Sequence, residues 1–301
     1  MKDIIKVSVV IPTYKRPQFI CRAIDSCYAQ QGVTVEVIVV DDNGEGTECQ
    51  MNVASIIEKY TVRDDFNYII HKQNKNGSAA RNTGIYASNG DYIAFLDDDD
   101  WFEDTKLVKQ VQLMKREHSR ACLTGFRRVY SNVDKEDIPN LYDAPFQFLS
   151  VIVDACGGSG LLIEKRLAVQ LGGYQESFFR HQDVEFNYRI SKETKISVVQ
   201  EILVNVYMHP GNYNLSSNQR IIDAKLHYLD IFRNDISKYP KQVQSYIYDC
   251  QYIEIVKACL KDKKYIMAIQ WIFKTSHPLK SMILIIRATL NYITKKEKVI
   301  L

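Results

Sequence analysis

At 301 residues, with 46% hydrophobic and 25% charged side chains, the chain is long and apolar enough to bury a full core, which excludes an intrinsically disordered protein. Its seven cysteines are odd in number and lack CxxC spacing, which argues against a disulfide framework or a zinc site and leaves buried free thiols as the expectation. The formal net charge of +3 is uneven: nine Lys and Arg against Asp262 and Glu297 give +7 from Lys261 to Leu301 and leave −4 for the remainder, yet no motif that reads RNA or DNA accompanies this basic tail.

The opening segment MKDIIKVSVVIPTY lacks the basic, apolar and cleavage regions of a signal peptide, and no uncharged apolar run approaches transmembrane length, so a cytoplasmic location is expected. Four runs, Val7–Ile11, Val35–Val40, Phe66–Ile70 and Tyr92–Leu96, are apolar on both faces, and an amphipathic stretch of helical length follows each. This alternation predicts an α/β fold, a mostly parallel sheet with helices on both faces. Ligands bind such sheets beyond the carboxyl ends of the strands. The segments PTYKR, DDNGEG and DDDDW occupy those ends, so three separated stretches are expected to meet at one crevice.

Further along, the pattern predicts a helix from Thr105 to about His118 and a strand over ACLTGFRRVY. A Gly-rich segment CGGSGLLI follows, then a helix opening near Glu164 and one carrying Asp183 and Glu185, then two strands, ISVV and ILVNVYMH. The turn-rich stretch Pro210–Asn218 reads as a linker, with only helical patterns beyond it. Two domains are expected, 1–215 and a small all-α region, 216–301.

Four consecutive carboxylates, Asp97 to Asp100, repel one another unless a cation sits among them. The run is therefore a solvated acidic turn or a cation site, and Asp97 and Asp99 have the spacing to hold Mg²⁺ or Mn²⁺ together with diphosphate oxygens. Asp42, at the end of another strand, either caps the turn that follows or accepts a hydrogen bond from a pyrimidine or ribose. Arg81, at the start of a helix, is a surface residue or a diphosphate contact.

The segments VVIPTYKRP, VIVVDDN, GSAARNTGI, GDYIAFLDDDDW and HQDVEFNYR, in this order over roughly residues 4 to 215, resemble a family 2 glycosyltransferase of the GT-A fold, a Rossmann-like architecture. The resemblance implies that Pro12, Thr13, Tyr14 and Arg16 cradle the nucleotide, that Asp42 contacts uracil and that Arg81 faces the diphosphate. It places Asp97 and Asp98 beside the nucleotide, Asp99 and His209 on the metal, and Asp183 as general base, with Gln182 where the family carries Glu. Trp101, Gly158, Ser159 and Gln182 are expected around the sugar and acceptor.

The activity implied is inverting, Mn²⁺- or Mg²⁺-dependent transfer of a sugar from a UDP-sugar to a glycan or lipid-linked glycan, in bacterial surface polysaccharide synthesis. Two alternatives stand beside it. A sugar-nucleotide nucleotidyltransferase should carry a Gly-rich basic loop after the first strand, and a non-catalytic nucleotide- or glycan-binding module should lack the base. The basic tail around SMILII, Lys261 to Leu301, either lies peripherally on the inner face of the plasma membrane or packs on the catalytic domain.

Overall fold

The computed structural model describes residues 5–130, 134–209 and 218–283. The chain divides into two compact units, one of residues up to 148 with 153–212, the other of 149–152 with 213 onward.

The first unit opens with alternating strands and helices: β1 (Lys6–Thr13), α1 (Ile20–Tyr28), β2 (Thr34–Asp41), α2 (Glu48–Ile57), β3 (Phe66–Ile70), α3 (Gly77–Ala87) and β4 (Tyr92–Phe95). A two-residue strand β5 (Trp101–Phe102), α4 (Lys106–Glu117), β6 (Ala121–Val129), β7 (Lys135–Asp137) and α5 (Ala144–Ser150) follow. The unit closes with β8 (Leu162–Glu164), α6 (Lys165–Gln170), α7 (Gln182–Glu193) and β9 (Ile196–Tyr207).

All nine strands join one sheet in the order β3-β2-β1-β4-β8-β6-β9-β5, with β7 paired to β6. The β3-β2-β1-β4 half is parallel. Beyond it the sheet is mixed, because β8 runs antiparallel to both β4 and β6 while β6 and β9 are parallel. Alternate residues of β1 face opposite ways, yet Val7, Val9, Val10 and Ile11 are all fully buried, because helices cover both faces. Val9, Ile11, Val37 and Val39 share a core with Ile24 of α1, Val53 of α2 and Leu107 of α4. On the other face α3 lies so close to β1 that a Cβ at Gly84 would stand 2.2 Å from Val10. Only glycine permits that approach.

The expected strands ISVV and ILVNVYMH are one strand, β9, with irregular register. Thr124 opposes Val199, Gly125 opposes Ile202 and Phe126 opposes Val204, so β9 absorbs extra residues around Gln200–Glu201 without breaking. The Gly-rich segment contributes β8, inserted between β4 and β6. All seven cysteines are free thiols.

The second unit contains α8 (Asn218–Ile231), α9 (Arg233–Ile236), α10 (Lys241–Lys261) and α11 (Tyr265–Ile272), followed by a helical turn that opens at Pro278. Its core gathers Ile222, Ile255, Val256, Ala258, Cys259 and Ala268. Residues 210–217 of the expected linker and the basic tail beyond 283 lie outside the described residues. No described helix is long and apolar enough to cross a membrane.

Candidate active site

The register of the parallel half levels the strand ends. Thr13 pairs with Asp41, and the chain leaving β4 continues beside β1 through a hydrogen bond from Leu96 N–H to Val10 C=O, 3.0 Å. The four aspartates therefore turn directly over the end of β1. Asp98 is fully buried there and accepts from the Thr13 hydroxyl at 2.7 Å and, more weakly, from the Tyr14 amide at 3.4 Å. Arg16 Nη2 lies 2.7 Å from Asp98 Oδ1 without hydrogen-bond alignment, so that contact is an ion pair, and its other terminal nitrogen reaches Asp99. His209 Nε2 lies 2.8 Å from the same Asp99 oxygen. Asp97 pairs with Arg81, and Asp100 accepts from the Ser159 hydroxyl at 2.7 Å and the Tyr207 amide at 3.1 Å.

The chain's own cations thus neutralise much of the acidic run, but burial still acts on it. Desolvation pushes the Asp98 carboxyl up to about 7 against the pull of Arg16, and holds Asp100 well above the usual carboxylate range, helped by Asp97 and Asp99. Ser159 is itself fully buried, and its hydroxyl also accepts from the Asp97 amide at 3.1 Å. Its hydroxyl thus joins the two ends of the acidic turn, Asp97 and Asp100. Gly158 stands against Arg81, where a Cβ would lie 3.2 Å from Nε. The Trp101 indole stacks on the Arg22 guanidinium, 3.9 Å from ring centroid to Cζ, and Arg22 donates to the Asp99 carbonyl.

Pro12, one residue before the end of β1, is half-buried, and Tyr14, beyond the strand, is exposed. The Lys15 amide donates to Asn43 at 2.8 Å and the Asp42 amide donates to Thr13 C=O at 3.0 Å, which ties the first two loops together. The Asp42 carboxylate accepts four hydrogen bonds. His71 Nδ1 and the Lys75 amide meet one oxygen at 2.7 and 2.8 Å, and the Asn74 side chain and the Asn76 amide meet the other at 2.8 and 2.9 Å. Those four bonds occupy its lone-pair directions, so a base could be contacted only by giving one up. In this state Asp42 orders the loop into α3, where Asn76 caps the helix by accepting from Ala79 N–H.

Arg81, one turn into α3 and 6% exposed, links the acidic run to the second acidic motif. A Cβ at Gly77 would meet both Arg81 Nη1, at 3.1 Å, and Gln182 Nε2, at 3.6 Å, and Gln182 accepts from the Ser78 hydroxyl at 2.6 Å. Asp183 follows in the first turn of α7. Its carboxyl is raised by burial, opposed by its own and the Val184 amides and by Arg81. It makes no ion pair among the described residues, whereas Glu185, two positions on, is held through both oxygens by Arg189. Of this pair, Asp183 is the carboxylate without a cation partner among the described residues.

A divalent cation fits the donor set. Among the described residues Asp97 Oδ2 and Asp99 Oδ1 accept no hydrogen bond, and both are hard oxygen donors beside an imidazole. Among the described residues no cluster of three or more acidic, His or Cys side chains forms a ready-made cage. The protein would supply two or three ligands and leave the remaining positions to diphosphate or water.

Sequence reasoning did not single out His71 or Arg22. His71 directly follows β3, the edge strand of the parallel set, and the rule that polar groups at carboxyl ends line the site applies to that strand as to the other three. Arg22 lies inside α1, six residues past Arg16, and no pattern distinguishes it.

A Rossmann-like sheet edge carrying an Asp-x-Asp turn, a basic first loop and an opposed aspartate defines a GT-A glycosyltransferase, and solved structures share the fold. A mannosyltransferase from Pyrobaculum calidifontis, in complex with GDP-Man and Mn²⁺, superposes with a TM-score of 0.61 at 16% identity, covering 97% of this chain and 81% of that one. TarS 1–349 of S. aureus, in complex with UDP-GlcNAc, gives 0.60 at 16% identity, covering 84% and 81%. The chain belongs to glycosyl transferase family 2, whose model matches residues 8–159. It is 30% identical over 223 residues to the amylovoran biosynthesis glycosyltransferase AmsB of Erwinia amylovora, covering 69% of this chain and 71% of that one. To an uncharacterized glycosyltransferase of Rickettsia bellii it is 37% identical over 124 residues, but it spans only 17% of that protein's length.

Proposed function

We propose that this glycosyltransferase moves a sugar from a UDP-sugar to a hydroxyl of a glycan or lipid-linked glycan, with inversion at the anomeric carbon, in the assembly of a bacterial surface polysaccharide. The observation that carries the reading is that Arg81 lies within electrostatic reach of both acidic motifs: Asp97 of the run, which with Asp99 keeps an oxygen open among the described residues, and Asp183, raised by burial and without an ion pair there. The first can anchor a diphosphate, and the second can take a proton. The relative named for amylovoran biosynthesis supports a polysaccharide setting.

In this reading Pro12, Thr13, Tyr14 and Arg16 shape the nucleotide side, and Asp42 sets its floor. Asp97, Asp99 and His209 hold Mn²⁺ or Mg²⁺, which supplies positive charge to the leaving diphosphate when bound. Gln182, Gly158 and Trp101 border the sugar and acceptor side. Asp183 accepts the proton of the acceptor hydroxyl as its oxygen bonds to the anomeric carbon from the face opposite the diphosphate. The sugar–phosphate bond breaks and UDP departs with the electron pair. Residues 1–215 form the catalytic domain and 216–301 a helical domain, acting at the inner face of the plasma membrane.

Release of UDP from a panel of UDP-sugars, with GDP-mannose included and with and without Mn²⁺, tests the reading. Acceptor-dependent, cation-dependent turnover of a UDP-sugar is expected. Turnover of GDP-mannose alone would overturn the donor assignment.

A further inference from the structure

The second unit carries a feature that sugar transfer does not use: α11 is apolar on two sides. Its inner side, with Ala268 buried and Trp271 and Ile272 partly so, packs on the core of Ile255, Val256 and Cys259. Its outer side leaves Tyr265, Ile266 and Ile269 exposed, and Phe273, Leu279 and Ile283 continue the exposure, Ile266 at 77%, Phe273 at 72% and Leu279 at 73%. Positions 266, 269 and 273 recur at intervals of three and four, one stripe of a helix. Singly exposed apolar residues are ordinary, but a contiguous stripe marks a surface that something covers.

The charge around the stripe says what. Lys261, Lys263, Lys274 and Lys280 are exposed and form no ion pair among the described residues. Of the nearby acids, Asp262 is engaged by Lys264 at 3.3 Å and by Asn218, and Asp249 accepts from the Ser276 amide and hydroxyl. Lys274 places its ammonium over the Trp271 ring, 3.8 Å from the centroid, a cation–π contact that holds the charge beside the apolar face. Aliphatic and aromatic side chains rimmed by unpaired lysines match the boundary between acyl chains and anionic headgroups. A second copy would set lysines against lysines, and nucleic acid has no use for exposed isoleucine and leucine. With eight residues, α11 is far too short to cross a bilayer, so it can only lie in the interface.

We propose that the outer face of α11 and the turn following it dock on an anionic lipid bilayer. This rests on the reading of a lipid-linked acceptor for its purpose alone; the test uses neither donor nor acceptor, so either can fail without the other.

The test is flotation of the full chain with phosphatidylcholine vesicles, with and without phosphatidylglycerol, at low and high salt. The parent should float with anionic vesicles and be released by salt. Phe273→Ser with Leu279→Ser, and separately Lys274→Glu with Lys280→Glu, should each lower partitioning by roughly tenfold or more, given about fivefold per lysine. All four positions are exposed, and unchanged circular dichroism verifies folding. A parent that ignores anionic vesicles, or variants that float like the parent, would overturn the proposal. So would a dimer seen by light scattering that Phe273→Ser with Leu279→Ser dissolves, which assigns the face to a second copy.

Discussion

Arg16 and His209 converge on one oxygen of Asp99, from loops almost two hundred residues apart in the chain. A guanidinium that already neutralises this carboxylate competes with any cation drawn to it. Arg16→Gln should therefore raise affinity for Mn²⁺ without nucleotide by roughly tenfold, the order of one opposite charge at contact range. The same change should weaken UDP binding. Mn²⁺ titration by electron paramagnetic resonance, beside calorimetry with UDP, reads both, and Asp99→Ala should abolish cation-dependent UDP binding. Mn²⁺ affinity unmoved by Arg16→Gln would remove the competition.

Asp98 and Asp100 give the site a pH dependence of definite sign. Their folded carboxyls are raised by burial, Asp98 to about 7 from 3.8, so the contribution each makes to the fold is full at low pH and lost as pH rises through the folded value. A bound cation favours the charged forms. Mn²⁺–UDP affinity should fall between pH 7 and 5, with protons released on binding, while the thermal midpoint of the ligand-free protein gains from these groups over the same range. Asp98→Asn should reduce both trends. Calorimetry in buffers of different ionisation enthalpy counts the protons, and binding without proton release would contradict the account.

Asp183→Asn preserves shape and loses the proton acceptor. Turnover should fall by roughly 10²- to 10⁴-fold while UDP affinity persists. Were Asp183 only a residue of the helix start, asparagine would serve nearly as well. Acceptor-dependent turnover and product anomeric configuration, measured beside a UDP titration, separate the cases.

Lys106 is fully buried, with the Gln110 side chain as its hydrogen-bond partner at 2.9 Å, and burial lowers its pKa to about 7. Against an ordinary value of 10.5, holding it there costs the fold roughly 4–5 kcal/mol at pH 7. Lys106→Met removes that cost and leaves Gln110 Oε1 unpaired, which returns about 1–3 kcal/mol. The variant should be more stable by about 2 kcal/mol at pH 7. The gain should shrink toward pH 10, because the unfolded parent chain holds the extra proton over that window. Urea unfolding at several pH values checks both the size and the slope.

The parallel half of the fold was legible because β-branched runs apolar on both faces have few alternatives, and the rule for strand ends then brought Thr13, Arg16, Asp42 and the acidic run to one edge. Local pattern could not show that β9 is continuous, since the polar pair Gln200–Glu201 interrupts its apolar run and only the neighbouring β6 reveals the bulge. Nor could it show what holds a side chain once placed. The four partners of Asp42 all come from the loop between β3 and α3, and the burial of Ser159 follows from the insertion of β8, both matters of long-range packing.

That insertion bears on how far the catalytic apparatus can be moved between proteins. The family match ends at Ser159, the residue whose hydroxyl closes the acidic turn, while the Tyr207 amide and the His209 ring come from beyond it. A chimera built by grafting residues 8–159 onto another scaffold would inherit every carboxylate of the run and lose two of the four contacts on the Asp99 and Asp100 side chains, those from His209 and Tyr207. The transplantable module is the sheet with the chain carried through His209, just past β9, and a donor-specificity swap cut any shorter should yield a folded protein with a misdirected site.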